Sequence, residues 1–264
     1  MALSQSVPVA SGASPAGPSP ADRQFVTALA RGLDILGCFS VARPSVGVSE
    51  LAGLLGLPQP TVWRLCHTMA SLGYVAVAED GRLRPALAVL RLGYSTLSEL
   101  PVAELARPYL QELADQYAGA AGLAVRDGND MRFVERCESD SQLVLNLRVG
   151  SRVPIATSAM GWAYLAGLPP AERAEAAGGP AAWRTAGPSF RRALAGFEKR
   201  GFIINPGVLH PGYNTAAVPV MGGDGRPRFT LNCGGAASAL SVAQLDNEVG
   251  PRLCVLAGLI AAVV

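Results

Sequence analysis

The chain has 264 residues, half of them hydrophobic, and a formal net charge of only +2. This length leaves room for one large or two modest domains with a substantial core. No apolar run approaches the roughly 18 to 20 residues that cross a membrane, so we expect no membrane partner. A near-neutral chain has no strong overall field for nucleic acid, and any such attraction must come from a local patch.

The cysteines and histidines are few and widely spaced. An odd number of cysteines without close pairs argues against a disulfide framework and favours a reducing cytoplasm. With two histidines and no Cys-x-x-Cys, a structural zinc site is not expected, and we predict neither a metal nor a cofactor. These residues are Cys38, Cys66, Cys137, Cys233 and Cys254, with His67 and His210.

The N-terminus is predicted to be a leader followed by a helix. Residues 1–22 are rich in Ala, Ser, Pro and Gly without the regions of a signal peptide, which indicates a disordered leader. From Gln24 to about Phe39 a helical pattern places Val26, Leu29, Leu33 and Leu36 on one face.

The segment from Ser49 to Tyr74 predicts two short helices around a tight turn. Ser49 is a candidate N-cap, and Gly56-Leu57-Pro58 ends the first helix. On the second helix an apolar stripe leaves a polar and aromatic face, the composition of a helix that reads the major groove. An ordinary pair of packed helices is the alternative. The stripe consists of Val62, Leu65, Met69 and Leu72, and the candidate DNA contacts are Gln59, Thr61, Trp63, Arg64, His67 and Thr68.

The next residues predict a hairpin that favours DNA binding over the alternative. Residues 74–78 and 82–84 are short β-prone runs, and an Asp-Gly lies between them. Three helices followed by this hairpin make a winged helix-turn-helix over residues 23–85, with Arg82 and Arg84 on the wing facing phosphate or minor groove. Trp63 remains open to a second interpretation, as a core residue.

The remainder predicts a joint and an α+β domain. Residues 86–100 are apolar on more than one side, which indicates a linker helix that is buried or packed against a partner chain. An amphipathic helix follows to about Tyr117, and strands and helices then alternate through residues 101–264. The predicted strands are 122–126, 132–137, 143–149, 201–205, 214–220 and 228–233, and the predicted helices are 156–166, 189–200 and 241–263.

The order of several motifs resembles the IclR family of bacterial transcription regulators from residue 25 onward. The motifs are Ala30-Arg31-Gly32-Leu33-Asp34-Ile35-Leu36, Ser49-Glu50-Leu51-Ala52, Thr61-Val62-Trp63-Arg64-Leu65, Gly150-Ser151-Arg152-Val153-Pro154, Ala159-Met160-Gly161-Trp162 and Ala216-Ala217-Val218-Pro219-Val220. The resemblance implies a winged helix-turn-helix, a linker helix and a C-terminal GAF-like effector-binding domain. It also implies a homodimer or dimer of dimers on palindromic operator DNA near a catabolic operon, with a small acid as effector.

The resemblance also implies an effector pocket. Its positions fall at Ala159, Met160, Asn205, Thr215, Leu231 and Cys233. Met160 and Leu231 suggest a neutral or aromatic small molecule, held by donors from Asn205, Asn214, Thr215 or Asn232. Strand alternation separates Asn232 from Leu231 and Cys233, so Asn232 is the weakest of these candidates. Cys233 fits a small core residue better than a reactive thiol.

Two other classes of function stay open at this point. An enzyme lacks support, because no Gly-x-Ser-x-Gly, Gly-x-Gly-x-x-Gly or His-Glu-x-x-His motif is present. A protein-interaction module that kept the winged fold is the other alternative, and the near-neutral charge is its best support.

Overall fold

The computed structural model describes residues 24–40, 43–92, 101–140 and 145–262. The described residues fall into two compact units, one up to residue 92 and one from residue 101. The predicted leader, and residues 93–100 of the predicted linker helix, lie outside the described residues. Within the linker, residues 88–92 are helical.

The N-terminal unit is a winged helix-turn-helix. Its helices are α1 (Thr27–Gly37), α2 (Val48–Leu55) and α3 (Gln59–Ser71), and strands β1 (Val75–Val77) and β2 (Leu83–Pro85) form an antiparallel hairpin. A small core joins these elements through Ile35, Val46, Leu51, Val62, Cys66, Met69, Val75 and Leu83.

Helix α1 is shorter than predicted and turns most of its apolar stripe to solvent. It begins at Thr27, and Val26, Leu29 and Leu33 are 60%, 63% and 57% exposed. Ile35 is the buried residue of this helix instead. The spacing correctly indicated an apolar face, but the described part of this unit does not cover it.

The segment from α2 to α3 follows the prediction, except at the N-cap of α2 and at the end of α3. Gly47, and not Ser49, is the N-cap of α2. Gly56 ends α2 in the left-handed conformation (φ 62°), where glycine is favoured. Leu72 was predicted on the buried stripe of α3, but it follows the last helical residue and is 63% exposed.

The C-terminal unit is a sheet with helices on both faces. Its strands are β3 (Ala120–Asp127), β4 (Asp130–Glu138), β5 (Arg152–Pro154), β6 (Ile203–Pro206), β7 (Tyr213–Met221) and β8 (Pro227–Ala236). Among the described residues, these six antiparallel strands lie in the order β5-β4-β3-β8-β7-β6. On one face, helix α4 (Pro101–Gln116) packs against β3 and β4.

Three further helices cover part of the opposite face: α5 (Ala159–Gly167), α6 (Arg173–Ala176) and α7 (Pro180–Arg200). Helix α5 starts later than predicted because Ser158 caps it, its Oγ accepting from Gly161 N at 3.0 Å. Helix α7 starts nine residues earlier than predicted and continues through Pro188.

The predicted strand 143–149 is wrong where the structure describes it. Residues 145–150 are irregular, and the short β5 that follows them was not predicted. Residues 143 and 144 lie outside the described residues. Apolar side chains in this segment, Leu145 and Leu147, line a cleft instead of pairing in the sheet.

The C-terminal helical segment returns to the face of α4. It consists of α8 (Val242–Gln244), a π-helical turn (Leu245–Val249) and α9 (Gly250–Ala261). Ser241 caps it in a reciprocal pair with Gln244. Among the described residues, no helix combines the length and apolar character that crossing a membrane requires.

Candidate functional site

The outer face of α3 carries the side chains predicted to contact DNA. Val62, Cys66 and Met69 point into the core, which turns the residues between them outward. Gln59, Trp63, Arg64, His67 and Thr68 are exposed, and Thr61 is half-buried.

Trp63 belongs to this outer face and not to the core. Its side chain is 56% exposed, and its ring stacks on that of His67 with centroids 5.3 Å apart and planes 5° from parallel. Residues four apart are neighbours on a helix surface. The two rings therefore form one flat, solvent-facing surface beside Arg64.

The two wing arginines lie in different surroundings. Arg82 donates from Nε to Ser45 Oγ at 3.1 Å and from Nη2 to Ser45 O at 2.9 Å. Its Nη2 also lies 3.0 Å from Glu50 Oε2. Arg82 therefore holds the wing against the start of α2, whereas Arg84 is exposed on β2. This internal role for Arg82 was not predicted.

A cleft opens on the sheet face that carries α5. Its enclosed volume is about 30 Å³, and the rest of the cleft is open to solvent. Its apolar lining includes Phe133, Leu145, Leu147, Val153, Ala159 and Met160. Its polar lining includes Arg136, Asn205, His210, Tyr213, Thr215 and Asn232.

Arg136 places a cation in this cleft. Its side chain is only 3% exposed, and its Nε lies 2.9 Å from Glu138 Oε1. Nη2 donates to Leu145 O at 3.4 Å, and the guanidinium carbon lies 5.2 Å from the centre of the Phe133 ring. Sequence reasoning missed this residue, because on the sequence it is one of many arginines.

Tyr213 lies beside the same arginine. Burial raises the pKa of its phenol to about 12, although the nearby Arg136 guanidinium acts to lower it. The phenol is therefore neutral at physiological pH, and it donates to Gly234 O at 2.8 Å.

The two amides of the cleft differ in what they bind. Asn205 Nδ2 donates to Thr157 O at 2.8 Å, and its Oδ1 accepts from Val208 N at 3.0 Å. Asn205 therefore ties two loops together at the cleft. In contrast, Asn232 Oδ1 is buried without a hydrogen-bond partner among the described residues.

Three of the predicted effector residues lie on the other face of the sheet. Leu231 and Cys233 are fully buried in the core beneath α4 and α9, and Asn214 donates to Leu240 O at 2.9 Å. Asn232, the weakest candidate from the sequence, is the residue of β8 that lines the cleft. Strand alternation predicts that neighbouring residues lie on opposite faces of the sheet. Which face carries the cleft depends on where the helices pack.

The thiols and possible metal ligands offer little chemistry. Burial raises the pKa of the Cys233 thiol to about 12, so it is protonated and unreactive at neutral pH. All five cysteines are free thiols. Within the described ranges, no group of His, Cys, Asp and Glu side chains could hold a metal ion.

Comparison with known proteins gives one consistent result for both units. Residues 28–78 match the model of the IclR helix-turn-helix domain, and residues 94–253 match the bacterial transcriptional regulator IclR C-terminal domain. The chain is 29% identical to the HTH-type transcriptional regulator TsaQ1/TsaQ2 of Comamonas testosteroni over 87% of this chain and 85% of that protein. It is 28% identical to the Pca regulon regulatory protein of Pseudomonas putida over 88% and 82%.

A solved structure agrees with these matches. An IclR family transcriptional regulator from Brucella abortus is 36% identical, with a TM-score of 0.73, over 95% of this chain and 97% of that chain.

Proposed function

Since the chain belongs to the IclR family of bacterial transcriptional regulators, we propose that it binds a palindromic operator through α3 and the wing. In this proposal it acts in the cytoplasm as a homodimer or dimer of dimers and controls a catabolic operon. A small organic acid in the cleft changes its affinity for DNA. The two relatives compared above are named as regulators, and the family is not an enzyme class.

The observation that carries the DNA-binding proposal is the outer face of α3. Arg64 can donate to guanine or phosphate, while Gln59 and Thr61 lie in the first turn of α3, where recognition helices contact base edges. The Trp63–His67 surface can pack against sugar or base. Arg84 is the exposed wing residue for phosphate, whereas Arg82 supports the wing.

Dimerisation is needed because one such surface carries little charge. A palindrome read by two copies places two α3 helices about one helical turn, roughly 34 Å, apart. The exposed apolar stripe on α1, from Val26 to Leu33, supports a second copy as its cover. The two copies together supply phosphate contacts that a single unit lacks.

A mobility-shift titration with the DNA upstream of the gene tests this proposal. The chain should bind this DNA specifically, and the binding should weaken steeply with salt. Arg64→Ala should reduce affinity about tenfold or more through a lost base or phosphate contact. Arg191→Ala removes an exposed arginine of α7 and should leave binding unchanged.

Two outcomes would contradict the proposal. Undiminished specific binding by Arg64→Ala would show that α3 docks in another way. A wild-type chain that fails to prefer this DNA over an unrelated duplex would point to the protein-interaction alternative.

A further inference from the structure

The N-terminal unit offers little positive charge for recognising DNA. Helix α3 contains Arg64 as its single arginine and has no lysine. The tip of the wing is acidic, with Glu79 and Asp80 exposed. Contacts to phosphate position a protein on DNA, whereas contacts to base edges select the sequence. With so few cations on this surface, we expect sequence selection to depend on its uncharged side chains.

The largest uncharged side chain on the outer face of α3 is that of Trp63, and its orientation is restrained. The preceding residue, Val62, is fully buried in the core, which fixes the helix beneath the ring. His67 stacks against the ring from the next turn, with the two planes 5° from parallel. A side chain restrained before binding loses less conformational entropy when it makes a contact. The Trp63 ring is therefore preorganised for a partner outside this unit.

Trp63 lies in the part of α3 where recognition helices approach the bases. It is the fifth residue of this 13-residue helix, and the N-terminal residues of such helices contact base edges. Gln59 lies one turn before it on the same side of α3. The helix rise separates the two residues by about 6 Å along the axis, whereas neighbouring base pairs are about 3.4 Å apart. Trp63 can therefore reach a base pair within two steps of one that Gln59 contacts.

The chemistry of an indole ring matches the major-groove edge of thymine. That edge presents a C5-methyl group beside the O4 acceptor, and an indole offers apolar carbons and one N–H donor but no acceptor. Adenine and cytosine present amino donors in the groove, which an indole would leave unpaired at a cost. Guanine presents acceptors without a methyl group. Thymine is therefore the base whose edge Trp63 fits best.

We propose that Trp63 determines part of the operator sequence by packing on the C5-methyl group of one thymine in each half-site, with His67 as its positioning residue. This inference rests on the proposed DNA-binding function and specifies one of its base contacts. It selects a base, and not a sugar, as the partner of the Trp63–His67 surface.

A mobility-shift titration of the full chain with deoxyuridine operators tests the methyl contact. The DNA is the shortest upstream fragment that the chain binds specifically, and deoxyuridine replaces thymine at one position of both half-sites at a time. This exchange removes the methyl group and leaves O4 in place. At one position it should weaken wild-type binding roughly 5- to 20-fold, the effect of two methyl groups that are no longer buried.

Variants of Trp63 assign the effect to this side chain. Trp63→Ala should bind the thymine and deoxyuridine operators with equal affinity, because no ring remains to contact the methyl group. Trp63→Phe keeps an aromatic ring and should retain part of the preference for thymine. Leu72→Ala is the matched control, since Leu72 follows α3 and is also an exposed apolar residue. It should leave affinity and preference as in the wild type.

Variants of His67 and Arg64 separate methyl recognition from affinity in general. His67→Ala should reduce the preference for thymine, and His67→Phe should restore it, because a phenyl ring can stack on Trp63. A loss of structure would instead lower the affinities for both operators together. Arg64→Ala should weaken binding to both by the same factor and leave their ratio unchanged. Thermal unfolding establishes that each variant is folded before its affinity is compared.

The outcomes distinguish this inference from the proposed function. If no thymine position responds to deoxyuridine, or if Trp63→Ala keeps the wild-type preference for thymine, the inference is overturned, while specific binding still supports the proposed function. If the wild type binds the upstream DNA no better than an unrelated duplex, both are contradicted.

Discussion

On one face of the six-stranded sheet, Val218, Leu231 and Cys233 pack against α4 and α9 in a continuous apolar core. On the other face, the neighbouring residues of the same strands are Ala217, which joins an apolar core beneath α5, and Asn232, which lines the cleft. One face is thus closed by packing, whereas the other combines packing with the cleft that is proposed to bind an effector. Adjacent positions on a single strand therefore have opposite tolerance to substitution.

The largest expected effect is on the sheet face that packs against α4 and α9. Leu231→Ala should lower the free energy of unfolding by about 2–5 kcal/mol, because the site is fully buried and the surrounding residues cannot fill the cavity. Urea unfolding followed by circular dichroism measures this change. Leu209→Ala makes the same truncation in the cleft lining, where the side chain is 38% exposed, and should cost less than about 1 kcal/mol. Equal costs at the two sites would remove the distinction between the faces.

An intermediate effect is expected at Gly122, which lies beside the cleft-lining Phe133. Gly122→Ala places a methyl group against Phe133, which should cost about 1–3 kcal/mol of unfolding free energy by overpacking. It should also weaken ligand binding, because the ring must move. Gly258→Ala is the control, since α9 leaves open space there, and it should be neutral or stabilise by up to about 1 kcal/mol. Thermal unfolding and calorimetry on both variants check the pair.

The smallest effect is expected at Cys233 near neutral pH. Burial raises its pKa from 9.0 to about 12, so the folded state retains a proton that the unfolded state loses first. This contribution to stability is fully present below pH 9 and is lost as the pH rises toward 12. Between pH 7 and 8.5 stability should not depend on this thiol. Iodoacetamide should leave Cys233 unmodified in the folded chain, as peptide mass spectrometry can show, and rapid alkylation would mean that this face opens to solvent.

Local features of the sequence predicted much of the N-terminal unit. Gly56 and Pro58 fix the turn between α2 and α3, and the spacing of Val62 and Met69 identifies the inner side of α3. Such signals depend on a few neighbouring residues. The predicted burial of the α1 stripe was wrong for a different reason. The spacing of residues identifies an apolar face, but it does not show whether the same chain covers that face.

The cleft depended on contacts that are distant in sequence. Ala159, Met160, Asn205 and Thr215 were placed by family resemblance and do line it, while their contact with an effector stays a prediction. Arg136 and Asn232 meet on one face only through their common pairing with Gly122. No local pattern contains that register, and so Arg136 was not predicted at the cleft and Asn232 was only the weakest candidate.

The attachment of Arg82 to Ser45 and Glu50 affects how a signal could reach DNA. Because Arg82 binds the wing to α2, and α2 packs on α3, each N-terminal unit should move as a rigid body. In the proposed dimer, an effector could then alter operator affinity only by changing the spacing or angle between the two N-terminal units. We therefore expect operators with a changed spacer between half-sites to respond differently to the ligand, while changes within a half-site alter affinity alone.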